Sequence, residues 1–271
     1  MVRAFITLTS DFGVQSQGVG LMEGVARAIA PEAHVIHLMH GLPAFDITAA
    51  ARTLETVCCL PVGAHVCVCD PGVGSARKAL IIQTQRGDFL VGPDNGVLIP
   101  ASRMLGGIAR AHEITNPKYM RHPVSPIFHG RDIFAPAAAH LANGAAIADF
   151  GPAVPEQDLT LAAYEEARIE GRRIFCRIIQ INKFGSLHLN IRQQAWDAFN
   201  LKLGAVVTLN SARFPAIKLP YGRTFSDVPP QNNIILRDDY ERIEIAKNLG
   251  SFVGQYQFKI GEDLILDLES A

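Results

Sequence analysis

The chain predicts a two-part fold: an α/β domain with a mostly parallel, Rossmann-like sheet, then a small antiparallel β-barrel. Three observations predict it. Up to about residue 150, short apolar runs alternate with helical stretches, the pattern of a parallel sheet with helices on both faces. A break follows at Gly151-Pro152-Ala153-Val154-Pro155, and then a charge-rich stretch from Tyr164 to Arg173. Beyond it, short strands recur with turn residues between them and no long helix, as in a barrel or sandwich. The boundaries read as 1–155 for the α/β domain, 156–171 for a linker and 172–271 for the β-barrel domain.

Each element has its own warrant. Met1 to Thr9 enters a strand directly, with Phe5-Ile6-Thr7-Leu8-Thr9 as its core. Gly18 to Ala30 is a helix that Pro31 ends. His34 to Leu38 is a second strand. Asp46 to Cys59 is a helix with Asp46 as its N-cap. Ala64 to Cys69 is an apolar run without alternation, the mark of a strand buried on both faces. Ala79 to Thr84 and Asp88 to Val91 form a hairpin around Arg86-Gly87. Asp132 to Asn143 is an Ala-rich helix ended by Asn143-Gly144. In the second domain the strands are 173–182, 186–191, 205–210, 233–237, 242–246 and 263–268.

Bulk composition narrows the function. The chain has 271 residues, 48% hydrophobic and 19% charged, which suits a compact globular protein. Its 25 basic and 26 acidic residues give a net charge of −1 and no basic footprint for nucleic acid. No apolar run reaches the length of a membrane span, and the N-terminus lacks a signal-peptide pattern. The five cysteines, Cys58, Cys59, Cys67, Cys69 and Cys176, contain no CxxC pair. They read as reduced, buried core thiols of a cytoplasmic protein.

Four acid-bearing motifs fall at predicted strand or helix ends of the first domain. They are Thr9-Ser10-Asp11-Phe12-Gly13, Asp70-Pro71-Gly72-Val73-Gly74-Ser75-Ala76-Arg77, Gly92-Pro93-Asp94-Asn95-Gly96 and Phe128-His129-Gly130-Arg131-Asp132. Ligands of open α/β sheets bind outside the carboxyl ends of strands, and glycines there let backbone approach a ligand. Together the motifs predict one shared polar site. Asp11 suits the hydroxyls of a ribose; the alternative is an N-cap or Asx-turn. No GxGxxG or GxxxxGK[ST] occurs, so no phosphate cradle is indicated. No HxH or HExxH spacing occurs, so no metal is expected. His34, His37, His40, His65 and His140 read as core or surface groups.

These motifs, with Ile133 to Ala138 continuing the last, resemble those of the S-adenosyl-L-methionine hydroxide adenosyltransferases. Those enzymes are adenosine-forming hydrolases related to fluorinase and chlorinase. The resemblance covers nearly the whole chain and is most specific in the first domain. It implies that Asp70, Arg77 and His129 activate water, and that Asp11 holds the ribose. It implies that Phe45 and Phe128 wall the substrate, and that Asn182, Phe184 and Ser186 contact its adenine and methionine parts. The second domain departs from the family's Ile-Asp-x-Phe-Gly-Asn. Here it reads Ile181-Asn182-Lys183-Phe184-Gly185-Ser186. Asn182 stands where an acid is usual, and a neutral amide cannot neutralise an ammonium. Near residues 238–248 the usual Gly-Tyr pair is absent.

The implied reaction is in-line attack of water on ribose C5′ of S-adenosyl-L-methionine, giving adenosine and methionine without a cofactor. Asp70 and His129 would orient the water and take its proton, with Arg77 stabilising hydroxide character. A carboxylate at Asp70 disfavours halide, which sets this chain apart from the halogenases. The resemblance further implies a homotrimer with sites between subunits, and no nucleic-acid or membrane partner. A nucleoside-binding or sensing protein with little turnover is the alternative, and a halogenase a more remote one. A methyltransferase lacks support, because no glycine-rich loop follows the first strand.

Overall fold

The computed structural model describes residues 4–211 and 213–268. Met1 to Arg3, the start of the N-terminal reading, lie outside them. The chain divides between Ala163 and Tyr164 into two compact units.

The first unit opens with β1 (Phe5–Ser10), buried along nearly its whole length. Ser16 caps α1 (Gln17–Ile29), its hydroxyl accepting from Gly18 N at 3.2 Å. Then come β2 (His34–Met39) and α2 (Ile47–Glu55). Asp46 caps α2 as its sequence position predicts, accepting from Ala49 N at 2.9 Å. The helix tightens into a 3₁₀ turn over Thr56–Cys59. This turn lifts Cys59 to the surface and leaves Cys58 half-buried, so the expectation of five buried thiols holds only for Cys67, Cys69 and Cys176. The unit continues with β3 (Ala64–Val68), β4 (Ala79–Thr84), β5 (Phe89–Pro93), α3 (Ile99–Met104) and β6 (Ile108–Glu113). Its last helix, α4 (Ala135–Ala142), follows a π-helical stretch at Gly130–Phe134.

The sheet order is β2-β1-β3-β5-β4-β6. The first four strands are parallel, while β4 runs antiparallel to both β5 and β6. α1 and α4 pack together on one face, α2 and α3 on the other. The chain leaves β1 toward β2 on one side and returns to β3 on the other. The gap between the carboxyl ends of β1 and β3 is therefore a topological switch point, where such sheets bind ligands. Asp11 and Asp70 follow these two strand ends.

Residues 156–163 are tied to the first unit: Thr160 N donates to Asp94 at 2.9 Å and Ala163 N to Gly96 O at 3.1 Å. The strand ladders of the second unit are all antiparallel. Its elements are β7 (Arg168–Glu170), β8 (Arg173–Ile181), β9 (Leu187–Arg192), α5 (Gln193–Asp197), β10 (Val206–Asn210), β11 (Ile217–Pro220), β12 (Asn233–Arg237), β13 (Arg242–Lys247), α6 (Phe252–Tyr256) and β14 (Asp263–Leu268). The strands run β11-β10-β14-β8-β9-β13-β12, with β7 added to β8. A bridge between Tyr221 and Ile235 brings the two ends together, so the sheet is a nearly closed barrel. Leu187, Leu189, Ile191, Ile243, Ile245 and Trp196 are among its core residues.

Candidate active site

The Asp70 loop folds back on itself: Val73 N donates to Asp70 O, and Ser75 Oγ donates to Gly72 O at 2.7 Å. This return brings Arg77 onto Asp70. Nε of Arg77 lies 3.0 and 3.1 Å from the two carboxylate oxygens, and Nη2 closes a second contact to Oδ2. The pair is a fork on a carboxylate, the geometry only arginine supplies. Both side chains are largely withdrawn from water, at 5% exposure for Asp70 and 10% for Arg77. The guanidinium also lies 5.3 Å from the centre of the Phe134 ring.

The same guanidinium reaches a third group. Nη2 of Arg77 is 2.7 Å from Nδ1 of His129. Asp70, Arg77 and His129 are thus one hydrogen-bonded set, assembled from the β3–β4 loop and the segment before the π-helical stretch. Arg77 has only donors, so Nδ1 of His129 accepts and Nε2 carries the proton. Burial, and then the Arg77 charge, hold the His129 imidazole below its usual range against the pull of Asp70 and Asp132. The ring is therefore a neutral Nε2–H donor.

Buried Asp132 anchors the segment that carries His129. It accepts from Arg121 Nη1 at 3.1 Å, Ser125 N at 2.9 Å and Arg131 Nε at 2.7 Å. Burial opposes its charge, yet these bonds hold the carboxyl below the ordinary range. The two loops are also fitted to each other. Gly74 has φ +78°, and a Cβ there would lie 2.7 Å from Pro126 O.

Asp11 stands at the neighbouring strand end. Its Oδ2 accepts from Phe45 N at 2.9 Å and lies 3.6 Å from Cys69 Sγ, one residue before Asp70. Burial and the Asp11 charge push the Cys69 thiol well up, so it remains a protonated donor. No hydrogen bond occupies Asp11 Oδ1 among the described residues. Phe45 adopts φ 65° and its side chain is 71% exposed. Phe128 is packed instead, edge-on to Phe12 at 5.8 Å and under the Arg131 guanidinium at 4.7 Å.

The Gly92–Gly96 motif supports rather than joins this set. Asn95 Nδ2 donates to Cys69 O at 2.8 Å, fixing the backbone before Asp70, while Asp94 holds Thr160. Sequence reading grouped these residues by their acid and glycines and missed the amide that does the holding. Phe134, beneath Arg77, lies within the continuation of the last motif, but no role at the site was read for it. Among the described residues no group of three His, Cys, Asp or Glu is placed to hold a metal, and no helix is long and apolar enough to cross a membrane.

In the second unit Asn182, Phe184 and Ser186 occupy the β8–β9 turn. Asn182 Oδ1 accepts from Phe184 N at 3.0 Å and Ser186 N at 3.1 Å, and its amide lies 3.3 Å from His188 Nε2. Phe184 is 66% exposed, an apolar ring held out from the turn. His188 and Glu244 are direct cross-strand partners, and both are buried beside Ser186. His188 Nδ1 lies 3.0 Å from Asp238 Oδ2. Burial pushes the Glu244 carboxyl up, partly offset by His188 and the Ser186 hydroxyl. This buried polar face was not foreseen; the alternation of His188 and Asn190 with leucines on β9 marks an outer face without telling that it is covered.

Residues 6–151 match the SAM hydroxide adenosyltransferase N-terminal domain, and residues 176–265 match the C-terminal domain of the same description. An (R)-S-adenosyl-L-methionine hydrolase of Salinispora arenicola is 38% identical over 247 residues, which cover 91% of each chain. A solved structure described as an uncharacterized conserved protein from Thermotoga maritima aligns with a TM-score of 0.88 at 28% identity, over 97% of this chain and 99% of that one. A fluorinase of an Actinoplanes species is more distant, at 21% identity over 283 residues covering 94% of this chain and 95% of that one.

Proposed function

The chain belongs to the SAM hydroxide adenosyltransferase family, and on that footing we propose that it hydrolyses S-adenosyl-L-methionine to adenosine and L-methionine. The observation that carries the reading is the contact set of Asp70, Arg77 and His129 at the switch point. Water attacks ribose C5′ in line with the C5′–S bond. That bond breaks, its electron pair stays on sulfur, and methionine leaves as a neutral thioether. The sulfonium is its own leaving group, so the chemistry calls for no cofactor.

The hydrogen-bond directions divide the labour. Nδ1 of His129 is occupied by Arg77, so His129 orients the water by donating from Nε2. Asp70 accepts the water's proton, and Arg77 holds both partners in register. This narrows the role the motif suggested for His129, from taking the proton to placing the oxygen. Positioned general-base help is worth about 10²–10⁴-fold. Hydroxide character meeting a sulfonium loses charge toward the transition state, which a dry pocket favours. Asp11 offers Oδ1 to the ribose hydroxyls, Phe45 and Phe128 flank the nucleoside, and Asn182, Phe184 and Ser186 take its adenine and methionine ends. The carboxylate of Asp70 repels a halide nucleophile. The working form is a cytoplasmic homotrimer in which a neighbouring subunit completes each site.

The test is product analysis in ¹⁸O-water with chloride and fluoride present. Expected are methionine and adenosine bearing ¹⁸O at the 5′ position. Halogenated nucleoside in excess of adenosine would overturn the reading, and binding of adenosine without turnover would leave a sensor in its place. Sedimentation of the intact protein tests the trimer.

A further inference from the structure

A second hydrogen-bonded chain runs from the surface of the first unit to the Asp11 loop. Ser10 Oγ lies 2.7 Å from His40 Nδ1, His40 Nε2 lies 2.8 Å from His37 Nδ1, and His37 Nε2 lies 2.9 Å from Glu23 Oε2. Glu23 also takes Arg27 Nε at 2.6 Å. The outer members are part-exposed, while Ser10 and His40 are buried. The proposed chemistry at Asp70 uses none of them.

The direction of this chain follows from its outer end. The hydrogen bond from His37, and then Arg27, hold Glu23 below the ordinary carboxylate range, so it is a fixed acceptor. His37 therefore donates from Nε2 and, when neutral, accepts at Nδ1. His40 must then donate from Nε2 and accept at Nδ1, which leaves the Ser10 hydroxyl as its donor. Burial and the neighbouring His37 push His40 down to about 4, so it stays neutral and keeps this tautomer at ordinary pH.

His40 sits where two segments meet. Its side chain holds Ser10, whose oxygen lies 3.4 Å from Phe12 N, and its own carbonyl accepts from Gly13 N at 2.8 Å. These contacts bracket Asp11 on both sides. His40 also begins the loop that ends by placing Phe45 N on Asp11 Oδ2. One residue thus anchors both partners of the contact that aims the Asp11 carboxylate.

We infer that His40 and His37 are positioning residues for substrate binding, holding the Asp11 loop through a hydrogen-bond relay whose direction Glu23 sets. This rests on the reading of Asp11 as the ribose acid. Removing His37 releases His40 from the partner that fixes its tautomer, so its hold on Ser10 and the Asp11 loop loosens.

The experiment measures KM and kcat for S-adenosyl-L-methionine at one fixed pH. Wild type, His37→Ala, His40→Asn and Asp11→Asn are compared, and ¹⁵N NMR reads the His40 tautomer. His37→Ala raises KM about threefold with kcat little changed. His40→Asn raises KM about tenfold with kcat little changed, as expected for one lost buried hydrogen bond. NMR finds the His40 proton on Nε2. An unaltered KM in His37→Ala, or a proton on His40 Nδ1 in wild type, overturns the relay while a raised KM in Asp11→Asn leaves the ribose reading standing. An unchanged KM in Asp11→Asn removes both. Should His40→Asn fail to fold, His37→Ala, at the part-exposed end, and the tautomer still decide.

Discussion

Arg77 Nη2 lies 2.7 Å from His129 Nδ1, and a guanidinium cannot accept. That single contact leaves Nε2 as the nitrogen of His129 that carries the proton. It also joins the imidazole to Asp70 through one guanidinium.

The first prediction concerns pH. Burial and the Arg77 charge lower the His129 pKa, so the neutral ring persists to more acid pH than an ordinary histidine. Activity as kcat/KM should stay level down to about pH 6.5 and fall only below it. In Arg77→Gln one of the two causes is gone, and the acid limb should move to higher pH. Superimposable profiles of the two enzymes would count against the contact.

Asp70→Asn keeps the shape of the group we propose as base and removes its charge. Adenosine release should slow by about 10²–10⁴ with KM within a few-fold of wild type. Steady-state kinetics by chromatography checks it, and turnover at the wild-type rate would take Asp70 out of the reaction.

Asn182→Asp restores an acid in the β8–β9 turn. The oxygen that accepts from Phe184 N and Ser186 N is retained, and only the amide contact to His188 is lost. If the substrate's ammonium lies here, KM should fall by up to about fivefold, the worth of a part-exposed ion pair. Calorimetric titration reads the same quantity as affinity, and no change would separate Asn182 from the ammonium.

Acid should weaken the fold. His40, held at about 4, stays neutral while an unfolded histidine protonates near about pH 6.5. Below that value the unfolded state binds more protons, so stability declines until the native residue titrates. The contribution is full above about pH 6.5, and the loss is on the order of 3 kcal/mol for this one group. Urea unfolding at successive pH values measures it, and His40→Gln should flatten the slope.

Gly74→Ala meets both a positive φ and the Pro126 carbonyl. A loss of about 1–3 kcal/mol is expected. It should appear as a lower urea midpoint at constant slope; an unchanged midpoint would mean the two loops are not in register.

Much of the architecture was readable from local pattern. The apolar run of β3, broken only by His65, and the Asp46 cap gave strand and helix from neighbouring residues alone. The strands β6, β7 and β11 escaped because pairing partners, not their own sequences, make them strands: Ile108 to Glu113 carries Arg110, His112 and Glu113 and gains its place from β4. The helix predicted from Asp132 begins instead as a π-helical stretch at Gly130–Phe134, and only Ala135–Ala142 is α-helical. At the site, Asp70, Arg77 and His129 were legible because acid, cation and imidazole each sit in a glycine-marked motif. The proton positions were not, because a tautomer depends on a neighbour 52 residues away along the chain. His40 was read as a core or surface group, since its partner Ser10, and the Glu23 that orients His37, meet these histidines only in space.

The close fit of Gly74 against Pro126 bears on how such a site can change over evolutionary time. The Asp70 loop and the loop before His129 are templates for each other. A mutation that lengthens or reshapes one is judged by the other before chemistry is tested at all. Neither loop drifts alone. Exchange between relatives must carry both segments as one inherited block, and grafting residues 70–77 without 121–132 yields a misfit rather than a hybrid.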